Sequence, residues 1–373
     1  MNRLRILLIF ILGTLSVVGQ KNNIQKFYVG TFTTEGAEGI YLCNFNNQTG
    51  EIMLESTFKA VDNPSFIKIS PNQKYLYAAT RASNKIEPSG GFMSAYKINN
   101  DGSLEFLNKQ ISNGLDPCHV DVSPDGKFVA TATYGGGTTS LYEVNEDGSL
   151  QAASSVIVNQ GSGFDKSRQA APHAHSIKFS PFNNQVFSAD LGTDQLNIYF
   201  LEDNKLVQRG QNFMKLDPGS GPRHFDFFPE GKVIYVINEL NSSVTSFELK
   251  EGNWEKIETV STLPDDFNGE SYCADIHVSL DGRFLYGSNR GHNSIAVFKI
   301  DDSKRLKISG FVPVEGDWPR NFVISPDGKH MLVANQKSGN ITVFKIDGKN
   351  GMPEFTGEEI KLPSPVCLEF LLR

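Results

Sequence analysis

Residues 117–134 read PCHVDVSPDGKFVATATY, and five other stretches repeat that layout. They are PSFIKISPNQKYLYAATR at 64–81, AHSIKFSPFNNQVFSADL at 174–191 and PRHFDFFPEGKVIYVINE at 222–239, then CADIHVSLDGRFLYGSNR at 273–290 and PRNFVISPDGKHMLVANQ at 319–336. Each holds two apolar runs around a polar turn. Ser-Pro-Asp-Gly at 123–126 and 325–328 suits that turn, since Pro presets its second position and Gly closes it. The starts fall 53, 57, 48, 51 and 46 residues apart, too long for paired-helix repeats and right for four-stranded propeller blades. Alternation such as Val120-Asp121-Val122 agrees with strands, and no segment keeps a helical period. Asp-Gly pairs at 101–102, 147–148 and 347–348 mark a later hairpin in their units.

The chain ends supply a seventh unit. PVCLEF at 365–370 reads as a first strand with nothing after it, and 27–31 as a second strand with nothing before it. Pairing the two closes the ring and removes open sheet edges. The expected fold is therefore all-β: a seven-bladed propeller sealed by the C-terminal strand against the N-terminal ones.

Superimposing the repeats yields two columns. The second residue of each segment gives Ser65, Cys118, His175, Arg223, Ala274 and Arg320. The last two give Thr80-Arg81, Thr133-Tyr134, Asp190-Leu191, Asn238-Glu239, Asn289-Arg290 and Asn335-Gln336. Antiparallel pairing sets the end of strand two beside the start of strand one. With strand one innermost, both columns meet at one mouth of the channel. There, arginines stand out against a formal charge of −7 and suggest a local anion site.

That overall charge leaves no basic footprint for nucleic acid. Residues 1–19, with Arg3, Arg5 and an apolar run over 6–18, read as a secretory signal too short to span a membrane comfortably. Residues 20–373 then form one exported propeller domain without stable membrane insertion. Cys43, Cys118, Cys273 and Cys367 have no metal spacing and suit buried strand positions. Neither a metal cluster nor a Gly-x-Ser-x-Gly elbow is present, so hydrolysis without metal or other cofactor is expected.

The ordered series Gly30-Thr31, Pro117-Cys118-His119-Val120, Tyr134-Gly135-Gly136-Gly137, Arg168-Gln169, Pro172-His173-Ala174-His175-Ser176 and Gly221-Pro222-Arg223-His224 continues through Asn238-Glu239-Leu240, Ser288-Asn289-Arg290-Gly291 and Ala334-Asn335-Gln336. It resembles the bacterial seven-bladed propeller 6-phosphogluconolactonases, which share a fold with fungal carboxymuconate-lactonising enzymes. The resemblance implies hydrolysis of 6-phospho-D-glucono-1,5-lactone or another anionic sugar lactone. A muconate-type cycloisomerase, or a propeller that only binds a protein or glycan, are the alternatives. By the same resemblance His175, Arg223, Glu239 and Arg290 are the catalytic candidates.

Arg320, His173, Tyr134 and Asn335 are expected to bind substrate. A lactonase needs an activated water and a stabilised oxyanion. Glu239 suits the base if burial raises its pKa, and a salt bridge to Arg223 or Arg290 is the competing role. His119, His224 and His277 look like an inter-blade seam, while His292 and His330 look solvent-facing. The column Asp190, Asn238, Asn289 and Asn335 reads as strand-end capping in preference to a cation ring.

Overall fold

Every repeat folds into the inner half of a blade. The computed structural model describes residues 23–59, 61–82 and 90–373; the expected signal at 1–19 lies outside them. Seven antiparallel sheets form, and in all but the closing blade the strands run in chain order from the channel outward. The innermost strands of blades 1 to 6 are Pro64–Ile69, Pro117–Val122, Ala174–Phe179, Pro222–Phe227, Tyr272–Val278 and Pro319–Ile324. In blade 7 the innermost strand is Pro365–Leu371, followed outward by Ile24–Thr31, Ile40–Asn46 and Ile52–Phe58. Phe27 faces Phe370 and Val29 faces Leu368 across the closing pair. The expected closure is therefore the observed one. Blade 3 departs from the pattern, because two short strands, Lys205–Val207 and Phe213–Lys215, share the edge of its third strand.

The core is divided among the blade interfaces. Phe27, Val29, Cys43 and Phe45 of blade 7 pack on Leu332, Ala334, Ile341 and Val343 of blade 6, and each other interface has a comparable cluster. Second strands such as Phe128–Thr133 and Val233–Asn238 are buried along their whole length, which explains their near-continuous apolar runs. His330 belongs to this core: it is 5 % exposed and lies edge-on to Phe45 at 5.4 Å. Its position at a strand start, directly after the turn, made it look exposed. His292 is likewise half-buried, against Phe267 and Phe311.

Adjacent inner strands do not pair as a sheet, so their backbone N–H groups need other acceptors. Side chains of the preceding blade supply them. Asp121 accepts from Phe179 N at 2.8 Å, Asp226 from Val278 N at 2.9 Å and Asn321 from Leu368 N at 2.7 Å. Asp275 does the same for Phe322 while holding His224 at 2.7 Å and His277 at 3.2 Å. The polar phase of these strands is thus an inter-blade seam. Tyrosines of second strands add a further tie, with Tyr28, Tyr77 and Tyr286 donating to Gly102, Gly148 and Gly351 carbonyls of the next blade.

Candidate active site

A β-bulge aims the first column. In blades 1, 2, 3, 4 and 6 the register skips one residue, so Ser65, Cys118, His175, Arg223 and Arg320 oppose no partner on strand two. An extra residue on one strand bends the chain and redirects its side chain. Backbone before the bulge is also unusual. Asn63, Asp116, Gly221, Trp318 and Ser364 have φ of 41°, 55°, 63°, 68° and 43°, each directly before a proline. Glycine tolerates this region; a tryptophan there is strained and held by its surroundings. Trp318 N donates to Asn293 Oδ1 at 3.0 Å, and the Arg290 guanidinium lies over the indole at 5.4 Å.

Glu239 is the hub of the site. Its Oε2 accepts from Arg223 Nε at 3.0 Å and Arg290 Nη2 at 2.7 Å, and its Oε1 from Arg168 Nη2 at 2.6 Å. Burial alone would raise this carboxyl, but the charges of Arg290 and Arg223 and the Arg168 bond outweigh it and hold the pKa at about 2. The expected rise does not occur, because three guanidiniums stabilise the anion more than desolvation destabilises it. The carboxylate is the shared acceptor of three arginines.

Arg223 is 2 % exposed, and its Nη1 donates to the Ala274 carbonyl. Burial and the nearby Arg290 charge lower its pKa to about 10, which leaves it a cation at neutral pH. Arg290 is anchored to Cys273 O at 2.9 Å and Tyr272 O at 3.3 Å.

His175 is buried, with its ring edge-on to Tyr134 at 5.5 Å and to His224 at 5.6 Å. Burial, then the charges of Arg223 and of neighbouring histidine and Arg320, push its pKa well below the usual imidazole value, so it is neutral. His173 stacks on Tyr134 at 4.4 Å and bonds the Tyr134 carbonyl through Nδ1 at 2.8 Å. A carbonyl can only accept, so Nδ1 carries the hydrogen. Cys118 lies beneath, its Sγ 3.9 Å from His175 Nδ1, and all four cysteines are free and buried.

Seven of the eight expected site residues thus gather at one mouth. Asn335 does not join them. It is fully buried, its amide donating toward Val314 O and Thr342 Oγ1 at 3.4 and 3.2 Å, and it fastens strands together. Asn238, Asn289 and Asp190 of the same column are similarly engaged with neighbouring hydroxyl, carbonyl or amide groups. Among the described residues no group of three or more His, Cys, Asp or Glu is placed to hold a metal ion.

Arg168 is the residue that repeat alignment could not find, because it sits on the loop between blades 2 and 3. Gln169 is its anchor, fully buried and bonded to Leu191 O at 2.8 Å and Asp194 Oδ1 at 2.7 Å. Only the Arg-Gln pair in the ordered motif series marked it. Trp318, just before its strand, and Tyr272, the first residue of its own, lay outside the columns as well.

A family model described as "Lactonase, 7-bladed beta-propeller" matches residues 26–370. The chain is 38 % identical to a 6-phosphogluconolactonase of Bacillus subtilis, over 92 % of this chain and 97 % of that one. It is also 38 % identical to a 6-phosphogluconolactonase of Formosa agariphila, over 80 % and 86 % respectively. The solved structure of the Pseudomonas aeruginosa periplasmic gluconolactonase superimposes with a TM-score of 0.85 at 28 % identity, over 94 % of this chain and 99 % of that one. The repeat and the ring closure accord with these likenesses, and the chain belongs to the seven-bladed β-propeller lactonase family.

Proposed function

We propose that the protein hydrolyses an anionic sugar lactone at this mouth, with 6-phospho-D-glucono-1,5-lactone as the first substrate to test. The observation that carries the reading is the convergence of Arg223 and Arg290, from adjacent blades, on one carboxylate beside a neutral imidazole. The names of the relatives support the substrate class. Lactone opening needs a base to take a proton from water, donors for the tetrahedral oxyanion and an acid for the departing ring oxygen. Neutral His175 takes the water proton and returns it to the ring oxygen. Arg223 and Arg290, pre-oriented by Glu239, stabilise the oxyanion. Tyr134 and His173 offer a stacked aromatic wall to the sugar ring.

Purified protein assayed on phosphorylated and unphosphorylated aldonolactones tests the activity, and His175→Gln tests the base. Because the His175 pKa is lowered, its basic form persists as pH falls past 6.5, and the rate declines only as pH falls through the lowered value. The acid limb of kcat/KM should therefore lie below pH 6.5. His175→Gln should lower kcat by about 100-fold and abolish that limb. A variant that keeps both rate and limb would remove His175 from the reaction.

Export belongs to the same proposal, supported by Arg3, Arg5 and the apolar run over residues 6–18. Cell fractionation should place the processed chain outside the cytoplasm; full-length protein in the cytosol would overturn this. Among the described residues no helix is long and apolar enough to cross a membrane.

A further inference from the structure

The mouth holds more positive charge than Glu239 balances. Arg168, Arg223 and Arg290 all bond that carboxylate. Arg320 and Arg81 do not. Arg320, on the bulge of blade 6, makes one long bond, to Gln336 Oε1 at 3.4 Å, and has no ion pair among the described residues. Arg81, at the strand end in blade 1, comes no nearer than 3.9 Å to Asp116, whose side chain is 51 % exposed and well hydrated. Both guanidiniums lie over one ring, Phe32, at 5.1 and 5.2 Å from its centroid. Phe32 is itself 6 % exposed and belongs to blade 7, between the two arginine-bearing blades.

From this geometry we propose that Arg320 and Arg81, held against Phe32, form a separate anion subsite that takes the phosphate monoester of the lactone, while the Glu239 cluster handles the carbonyl. The assignment rests on the lactonase reading above and adds to it a division of labour among the arginines. Three observations support it.

First, the two subsites sit on different parts of the ring. Arg223, Glu239 and Arg290 belong to blades 4 and 5, and Arg320 and Arg81 flank blade 7. Arg320 is near enough to Arg223 and Arg290 to feel their charge, so one substrate across the mouth can meet both. Second, Arg320 is poised for a ligand. Gln336 is fixed by Glu35 through Nε2 bonds of 3.2 and 3.0 Å, and Glu35 also accepts from Ser364. This chain of contacts orients the guanidinium through a neutral amide, without neutralising it. Third, burial and the charges of Arg223, Arg290 and Arg81 push the Arg320 pKa well below its usual value. A bound dianion would relieve that repulsion, and two planar guanidinium forks match phosphate oxygens better than point charges do. A neutral lactone gains nothing from the pair.

Calorimetry with 6-phosphogluconate, gluconate and inorganic phosphate, alongside kinetics on phosphorylated and unphosphorylated gluconolactone, tests the division. Arg320→Gln and Arg81→Gln should each weaken 6-phosphogluconate binding by about 30-fold and raise KM for the phosphorylated lactone comparably. Gluconate binding and turnover of the unphosphorylated lactone should change less than about 3-fold. Arg320→Lys, which keeps the charge and the fold, should recover part of the loss. Equal losses on both substrates, or wild-type protein that does not prefer 6-phosphogluconate over gluconate, would overturn the subsite. Should the wild type open no lactone, the proposed reaction fails. Phosphate-selective binding that disappears in Arg320→Gln would still establish the subsite.

Discussion

Glu239→Gln is expected to lower kcat/KM on the preferred lactone by about 100- to 1000-fold, the range found when a preorganised oxyanion contact is lost. The amide keeps the side chain's shape and removes the charge on which Arg168, Arg223 and Arg290 converge. Buried cations left without their partner repel one another, and breaking a buried pair in this way costs about 3–5 kcal/mol. The melting temperature should therefore fall by roughly 5 °C or more. Because the carboxylate pKa is held near 2, its titration does not shape the rate near neutrality. The variant should lose activity at every pH while the acid limb stays in place. Steady-state kinetics across pH, with thermal melts, distinguish an anchor from a base. If the limb vanished in Glu239→Gln and survived in His175→Gln, the two roles would have to be exchanged.

The second large effect concerns closure of the ring. Removing residues 366–373 should leave little soluble, monomeric protein. The deleted strand buries Val366, Cys367, Leu368, Phe370 and Leu371, and Phe370 packs on Phe27 at 5.6 Å and Phe45 at 5.9 Å. It also carries Glu369, which pairs with Lys68 of blade 1 at 2.9 Å, and it receives the Asn321 contact from blade 6. Truncation thus opens both interfaces of blade 7 and exposes Ile24–Thr31 as an unpaired inner edge, a template for aggregation. Soluble yield and gel filtration measure the outcome. A truncated chain with the parent's elution volume and melting curve would show that the ring does not depend on this strand.

Glu239 and Arg168 mark two different limits of sequence reading. Glu239 was visible as a column residue, yet whether burial or ion pairing would set its ionisation was not. Burial could be foreseen from its strand, but the number of guanidiniums reaching it could not, and the sign of the shift depends on that number. Arg168 escaped the columns because a long loop has no repeat register; its position depends on Gln169 being buried under the neighbouring turn. His330 shows the same limit in the core, since a residue next to a surface turn can still point into a blade interface.

By itself, the sequence determined the blade count, the strand order, the closing pair and the gathering of distant residues at one mouth. Those follow from period, alternation and antiparallel geometry, which are local rules repeated along the chain. Only the tertiary structure decided which arginines share Glu239, that the Asn335 amide is tied to Val314 and Thr342, and that bulges offset the first column from strand two. These depend on distances between side chains of different blades, and electrostatic and hydrogen-bond energies change sharply over an ångström or two, a scale that no repeat pattern encodes.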